Sequence, residues 1–126
     1  MTFVDTNVFM YAVGREHPLR DEARSRLFGA VERGAALVTS AEVLQEMLHA
    51  YLAVGRGATL DAANTLVAGC TDEVWSVEAV DVHLARALHT EHPGLGARDL
   101  IHVACCRRRG VTDVMTFDRA LAAAMG

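Results

Sequence analysis

The chain has 126 residues, of which 52% are hydrophobic, and a net charge of −4. That length supports one compact domain with a real core, and the apolar content excludes disorder. All twelve basic residues are Arg and none is Lys, which excludes the P-loop, Schiff-base chemistry and the folds that pair strand-end Asp with a Lys; the acidic balance also argues against a broad nucleic-acid-coating face.

Thr2 to Val4 predicts a short buried strand, and Asp5-Thr6-Asn7 the turn into a helix that His17-Pro18 breaks. Leu19 to Arg33 has helical spacing, with Leu19, Ala23, Leu27, Phe28 and Val31 on one face, and Gly34 ends it. Ala36 to Val38 is a second strand. Thr39-Ser40 offers an N-cap for a helix from Ala41 to Val54, stopped by Gly55-Arg56-Gly57, and Thr59 can cap a further helix to Gly69. Glu73 to Val77 is a third strand, Glu78 to His92 a helix, and Pro93 to Gly96 a loop. A helix from Ala97 to Arg109 ends at Gly110, Val114 to Phe117 is a fourth strand, and Arg119 to Met125 closes the chain. Strands alternating with helices predict a parallel α/β sheet with right-handed crossovers.

No apolar run approaches the roughly 18–20 residues of a membrane span, and no secretory signal is read at the N-terminus. Cys70, Cys105 and Cys106 contain no CxxC pair. They read as small buried hydrophobes in a reducing compartment, so a cytoplasmic location is expected.

Four carboxylates stand out. Asp5 and Asp118 each end a strand and precede a helix, and Asp99 opens a helix after a Gly-rich loop. Glu46 lies close to the apolar stripe Val43, Met47, Ala50, Tyr51 and Val54, where an unpaired acid is costly unless it faces a metal or a wet cleft. Sites in α/β sheets form at the carboxyl ends of strands. An isolated strand-end Asp also suits a helix N-cap. Clustered carboxylates repel unless cations neutralise them, and oxygen-rich sites suit Mg²⁺ or Mn²⁺, which activate water and stabilise leaving oxygens in phosphodiester hydrolysis.

Four segments, in order, resemble the PIN domains, specifically the VapC-type toxin ribonucleases: Phe-Val-Asp-Thr-Asn-Val from Phe3, Thr-Ser-Ala-Glu-Val-Leu-Gln-Glu from Thr39, Ala-Arg-Asp-Leu-Ile-His-Val-Ala from Ala97, and Met-Thr-Phe-Asp-Arg-Ala-Leu from Met115. The resemblance covers nearly the whole chain and implies a single PIN domain over residues 1–126. The fold it implies is a three-layer α/β/α arrangement around a short parallel sheet of about four strands. It carries the family's acids over to Asp5, Glu46, Asp99 and Asp118 as catalytic residues, with Asp5, Asp99 and Asp118 binding Mg²⁺ or Mn²⁺. Glu42 competes for the middle position, one turn before Glu46, but the family's spacing from Ser40 selects Glu46. Thr116 shares a strand face with Asp118, and the resemblance implies a supporting role for it. Asn7 reads either as a positioning residue or as a helix-start cap. Asp113 reads as a turn residue at the wrong strand end. Relatives commonly continue past the last acid with another strand, whereas this sequence ends at Gly126.

Glu46-x-x-His49 and Asp99-x-x-His102 evoke a di-iron bundle, but only one pair has Glu and the strands contradict a bundle. His102 is expected to pack beside the site, and His89 and His92 to be solvated at a helix end. Arg107-Arg108-Arg109 reads either as compensation of a helix dipole or as a phosphate contact, and Arg98 as a substrate contact. The implied function is a metal-dependent endoribonuclease, the toxin of a toxin–antitoxin pair, in which an activated water attacks phosphorus and leaves a 5′ phosphate. RNA, a cognate antitoxin and a second copy of the chain are the implied partners, with no membrane. The alternatives are a non-catalytic binding module, a solitary PIN nuclease and a structure-specific DNA nuclease of the same fold.

Overall fold

Four short strands form one parallel sheet: β1 (Thr2–Val4), β2 (Leu37–Ser40), β3 (Glu73–Trp75) and β4 (Asp113–Met115). Their order in space is β3-β2-β1-β4, with Phe3 opposite Val38 on one side and Val114 on the other. The computed structural model describes all of residues 1–126. Both neighbouring residues Phe3 and Val4 are fully buried, as expected of a central parallel strand covered on both faces.

Seven helices connect and cover the strands: α1 (Thr6–Val13), α2 (Arg20–Glu32), α3 (Ala41–Leu52), α4 (Gly57–Cys70), α5 (Ala79–Leu88), α6 (Ala97–Arg108) and α7 (Arg119–Met125). From β1 through β2 to β3 the chain steps in one direction, and from β3 it returns past β2 and β1 to reach β4. Right-handed crossovers then place α1–α4 on one face and α5 and α6 on the other. The contacts follow that division: α1–α4 touch one another, and α6 packs against α5 and α7. The larger apolar cluster includes Phe9, Leu27, Leu37 and Met47, and a smaller one joins Leu88, Leu100, Val103 and Leu121. This is the expected three-layer α/β/α fold. The reversal of stepping direction falls between β1 and β4, the switch point where such sheets open a crevice.

Several predicted boundaries shift. β2 extends through Thr39 and Ser40, so Thr39 belongs to a strand, where its hydroxyl donates to Val4 O at 2.9 Å. Ser40 occupies the α3 cap position but its hydroxyl caps nothing. α4 starts two residues before Thr59. On α2 the buried stripe is Ala23, Leu27 and Ala30, while Phe28 and Val31 are 46% and 42% exposed. Val54 lies beyond α3 and is exposed. Gly34 and Gly110, with φ of 72° and 70°, supply the left-handed residue that ends α2 and α6. At Gly110 this turns the chain into β4, with Val111 N donating to Cys106 O at 2.9 Å.

Candidate active site

Asp5 directly follows β1, and its N–H donates to Met115 O of β4 at 3.0 Å. The sheet ladder therefore fixes its backbone at the switch point. Its side chain is bound twice: Oδ1 accepts from Thr6 N at 2.7 Å, and Oδ2 accepts from Thr116 Oγ1 at 2.7 Å. Thr116 Oγ1 in turn accepts from Asp118 N at 2.9 Å and from Asn7 Nδ2 at 3.4 Å. Asn7 Oδ1 accepts from Phe117 N at 3.3 Å. Asn7 thus ties α1 to the segment after β4; Asp5, not Asn7, caps α1. Asp118 caps α7, with Oδ1 accepting from Ala120 N and Leu121 N.

Glu46 reaches the same place from α3. Its Oε2 accepts from the Thr6 hydroxyl, and its Oε1 lies 3.2 Å from His102 Nε2. His102 Nε2 is also 3.6 Å from Asp5 Oδ1. Asp5, Glu46 and His102 present ligand atoms that all lie within 4.8 Å of one another. Asp99 and Asp118 stand outside this tight group, but the charges of Asp5, Asp118 and Glu46 all act on Asp99. Glu42 feels Glu46 and His102 from further along the helix and makes no side-chain bond. Arg98, exposed on the first turn of α6, lends positive potential to both Glu46 and Glu42.

Burial pushes the Asp5 carboxyl up, against His102 and its hydrogen bonds from Thr116 and Thr6. Burial also raises Asp99, and repulsion from Asp5 adds to it. Burial acts to raise Glu46 too, but His102 and the Thr6 hydroxyl outweigh it and hold the group below its ordinary value. For His102, burial acts downward and is outweighed by Glu46, Asp5 and Asp99, so the imidazole is raised. Carboxyls whose charged form is disfavoured first by burial, and further by neighbouring acids, gain from a cation that neutralises them. Both ring nitrogens of His102 are buried polar atoms without a hydrogen-bond partner. Buried polar groups are rarely left unpaired, so these donors fit a site that takes an ion.

A cleft of about 340 Å³ opens beside Asp118, lined by Arg26, Thr116, Phe117, Asp118 and Arg119 among others. Arg26 lies 4.7 Å over the Phe117 ring. Arg107, Arg108 and Arg109 sit at the other end of α6 from Asp99, about 12–15 Å along the axis. They are spent internally. Arg107 meets Glu91 at 3.4 Å, Arg108 meets Glu78 and Asp81, and Arg109 meets Asp81 at 3.3 Å and lies over Trp75. Of the two readings of that triplet, the phosphate contact finds no support. In the sequence Thr6 reads only as part of the turn into α1, and its hydrogen bond to Glu46 follows from how α1 and α3 pack. The Arg26–Phe117 pair leaves no sequence signal, because the two residues meet only through tertiary packing.

Residues 2–125 match the PIN domain family, and the chain belongs to it. Within that family it belongs with the VapC ribonucleases: it is 64% identical to ribonuclease VapC23 of Mycobacterium tuberculosis over 124 residues, 98% of each chain. Ribonuclease VapC13 of the same organism is 40% identical over 119 residues, 94% of this chain and 91% of the relative. The crystal structure of M. tuberculosis VapC20, a sarcin–ricin-loop-cleaving toxin, superimposes with a TM-score of 0.83 at 21% identity, covering 98% of this chain and 95% of that one. The Rickettsia felis VapBC2 structure, bound to a promoter DNA fragment, gives 0.71 at 17% identity over 93% of this chain and 87% of that one.

Proposed function

We propose that residues 1–126 form one PIN domain acting as a metal-dependent endoribonuclease, the toxin of a VapBC-type pair. The observation that carries the reading is the convergence of Asp5 and Glu46 on one buried imidazole at the β1–β4 switch point, with Asp99 within reach of their charges. The 64% identity to a named VapC ribonuclease supports the substrate class, and the likeness to a VapBC structure supports an antitoxin partner. A homodimer and a cytoplasmic location belong to the same reading. No helix is long and apolar enough to cross a membrane.

Asp5, Asp99 and Asp118 would hold Mg²⁺ or Mn²⁺, with Glu46 completing the shell. A divalent ion there would supply Lewis acidity, to activate a water toward phosphorus and stabilise the departing 3′ oxygen. The chain's own groups do the rest. Thr116 and Thr6 fix the rotamers of Asp5 and Glu46. Arg98, whose charge acts on Glu46, and Arg119, in the cleft with Asp118, offer the local cationic contacts that an acidic protein needs to hold a polyanion.

The test is cleavage of single-stranded and structured RNA with Mg²⁺ or Mn²⁺, alongside flap DNA. Wild type cuts RNA and not flap DNA, while EDTA, Asp5→Asn and Asp99→Asn each abolish cutting. Cleavage unaffected by EDTA and by both substitutions overturns the metal mechanism. A short DNA-binding protein encoded upstream that co-purifies with the chain and silences it is the expected antitoxin result.

A further inference from the structure

His102 is more than a neighbour of the carboxylates. Its side chain is fully buried, and neither ring nitrogen has a hydrogen-bond partner. On its apolar side it lies against Phe3, ring centroids 5.3 Å apart, which cannot satisfy a ring nitrogen. On the other side Nε2 stands 3.2 Å from Glu46 Oε1 and 3.6 Å from Asp5 Oδ1. An octahedral ion with donors at about 2.1 Å holds adjacent donors about 3.0 Å apart and opposite ones about 4.2 Å apart. The two distances from Nε2 fall within that range, and one ligand atom from each of the three residues lies within 4.8 Å of the others, so a small side-chain adjustment brings all three onto a single ion.

We propose that His102 Nε2 is a direct nitrogen ligand to the ion held by Asp5 and Glu46, so that the centre selects Mn²⁺ or a similar transition-metal ion over Mg²⁺. This rests on the acidic cluster being a metal site, as proposed above. Carboxylate oxygens alone suit Mg²⁺, whereas imidazole suits first-row transition metals. One buried nitrogen donor therefore changes which cation wins when both are present. Two donors come from α3 and α6, and Asp5 from the end of β1, so the ion also pins the two helices across the open end of the sheet.

The experiment uses the intact protein loaded with Mn²⁺ and pulsed electron paramagnetic resonance, comparing natural-abundance protein with protein carrying ¹⁵N-labelled histidine. Expected is a directly bound nitrogen whose signal changes isotope with the label and vanishes in His102→Gln. In that variant Mn²⁺ affinity, measured by Mg²⁺ competition, falls about tenfold or more while Mg²⁺ affinity changes little. Mn²⁺ bound with no nitrogen coupling overturns the ligand assignment and leaves the metal site standing. No ion bound by wild type at all overturns the metal site itself, and this proposal with it. The labelled wild type answers the question even where His102→Gln fails to fold.

Discussion

Thr116 donates its hydroxyl to Asp5 Oδ2 at 2.7 Å, joining two side chains 111 positions apart. Thr116 Oγ1 also accepts from Asp118 N, so one hydroxyl sets both the orientation of the first acid and the path of the chain into the last. Thr116→Val keeps the shape and removes the bond. The expected cost is about 1–3 kcal/mol in urea unfolding, since the acceptor is a buried carboxylate. Cleavage falls further than stability does, because Asp5 loses its fixed rotamer. Thr116→Ser, which restores the hydroxyl, recovers most of both.

Asp99 is repelled by Asp5, Asp118 and Glu46. Asp99→Asn relieves that repulsion and stabilises the metal-free protein by roughly 0.5–1 kcal/mol, after allowance for solvent screening of a half-buried group, so that it melts higher. Added Mn²⁺ stabilises wild type in the same scan by mass action and stabilises the variant far less. A variant that melts lower than wild type without metal shows that repulsion is not what governs this carboxyl.

Asp81 is fully buried where α5 meets α6. It receives Arg108 Nε at 2.6 Å and Arg109 at 3.3 Å, and closes a capping box with Glu78. Although burial works against it, these partners hold its carboxyl well down, at about 2 against an ordinary 3.8. A depressed acid stabilises the fold above its ordinary value. That contribution, about 1–2 kcal/mol after screening, disappears as pH falls from about 4 to about 2. Asp81→Asn costs about 2–3 kcal/mol near neutrality and flattens that part of the acid-unfolding curve.

Arg119 borders the cleft beside Asp118. Arg119→Ala raises KM for RNA several-fold with a smaller change in kcat. It also reduces the steepness of the salt dependence of binding by about one counterion, as the loss of one phosphate contact requires. Arg107→Ala, at the far end of α6 and paired with Glu91, leaves both quantities unchanged.

Burial pushes the Cys105 thiol up to about 11 and the Cys106 thiol up to about 12. Neither is labelled by iodoacetamide in the native protein at pH 8, since the thiolate is the nucleophile. Half-buried Cys70 reacts first, and urea releases the other two. Rapid native labelling of all three is the contrary result.

Where the chain alternates clear apolar runs with caps and glycines, its elements were legible within a few residues. Even the acids at Asp5, Glu46, Asp99 and Asp118 could be singled out from their motifs. The failures have a common physical cause. On α2, Phe28 and Val31 are the larger residues, yet the stripe that packs is Ala23, Leu27 and Ala30, because the rotation of the helix against its neighbours, not side-chain size, decides which face is buried. Ser40 does sit at the cap position of α3, but β2 runs on through Thr39 and Ser40, and the Thr39 hydroxyl bonds across the sheet instead of capping the helix. His102 could be placed near Asp99 from its i+3 spacing. That it would face Glu46 rather than Asp99 depends on how α3 and α6 cross, and no local pattern records that.

The pairing of β1 with β4 ties the acidic site to the closure of the sheet. Asp5 is held on one side by Met115 O through its N–H and by the Thr116 hydroxyl through its carboxylate. An opening that lifts β4 from β1 therefore releases the backbone and the side chain of Asp5 together, so the site and that edge of the sheet come apart as one unit.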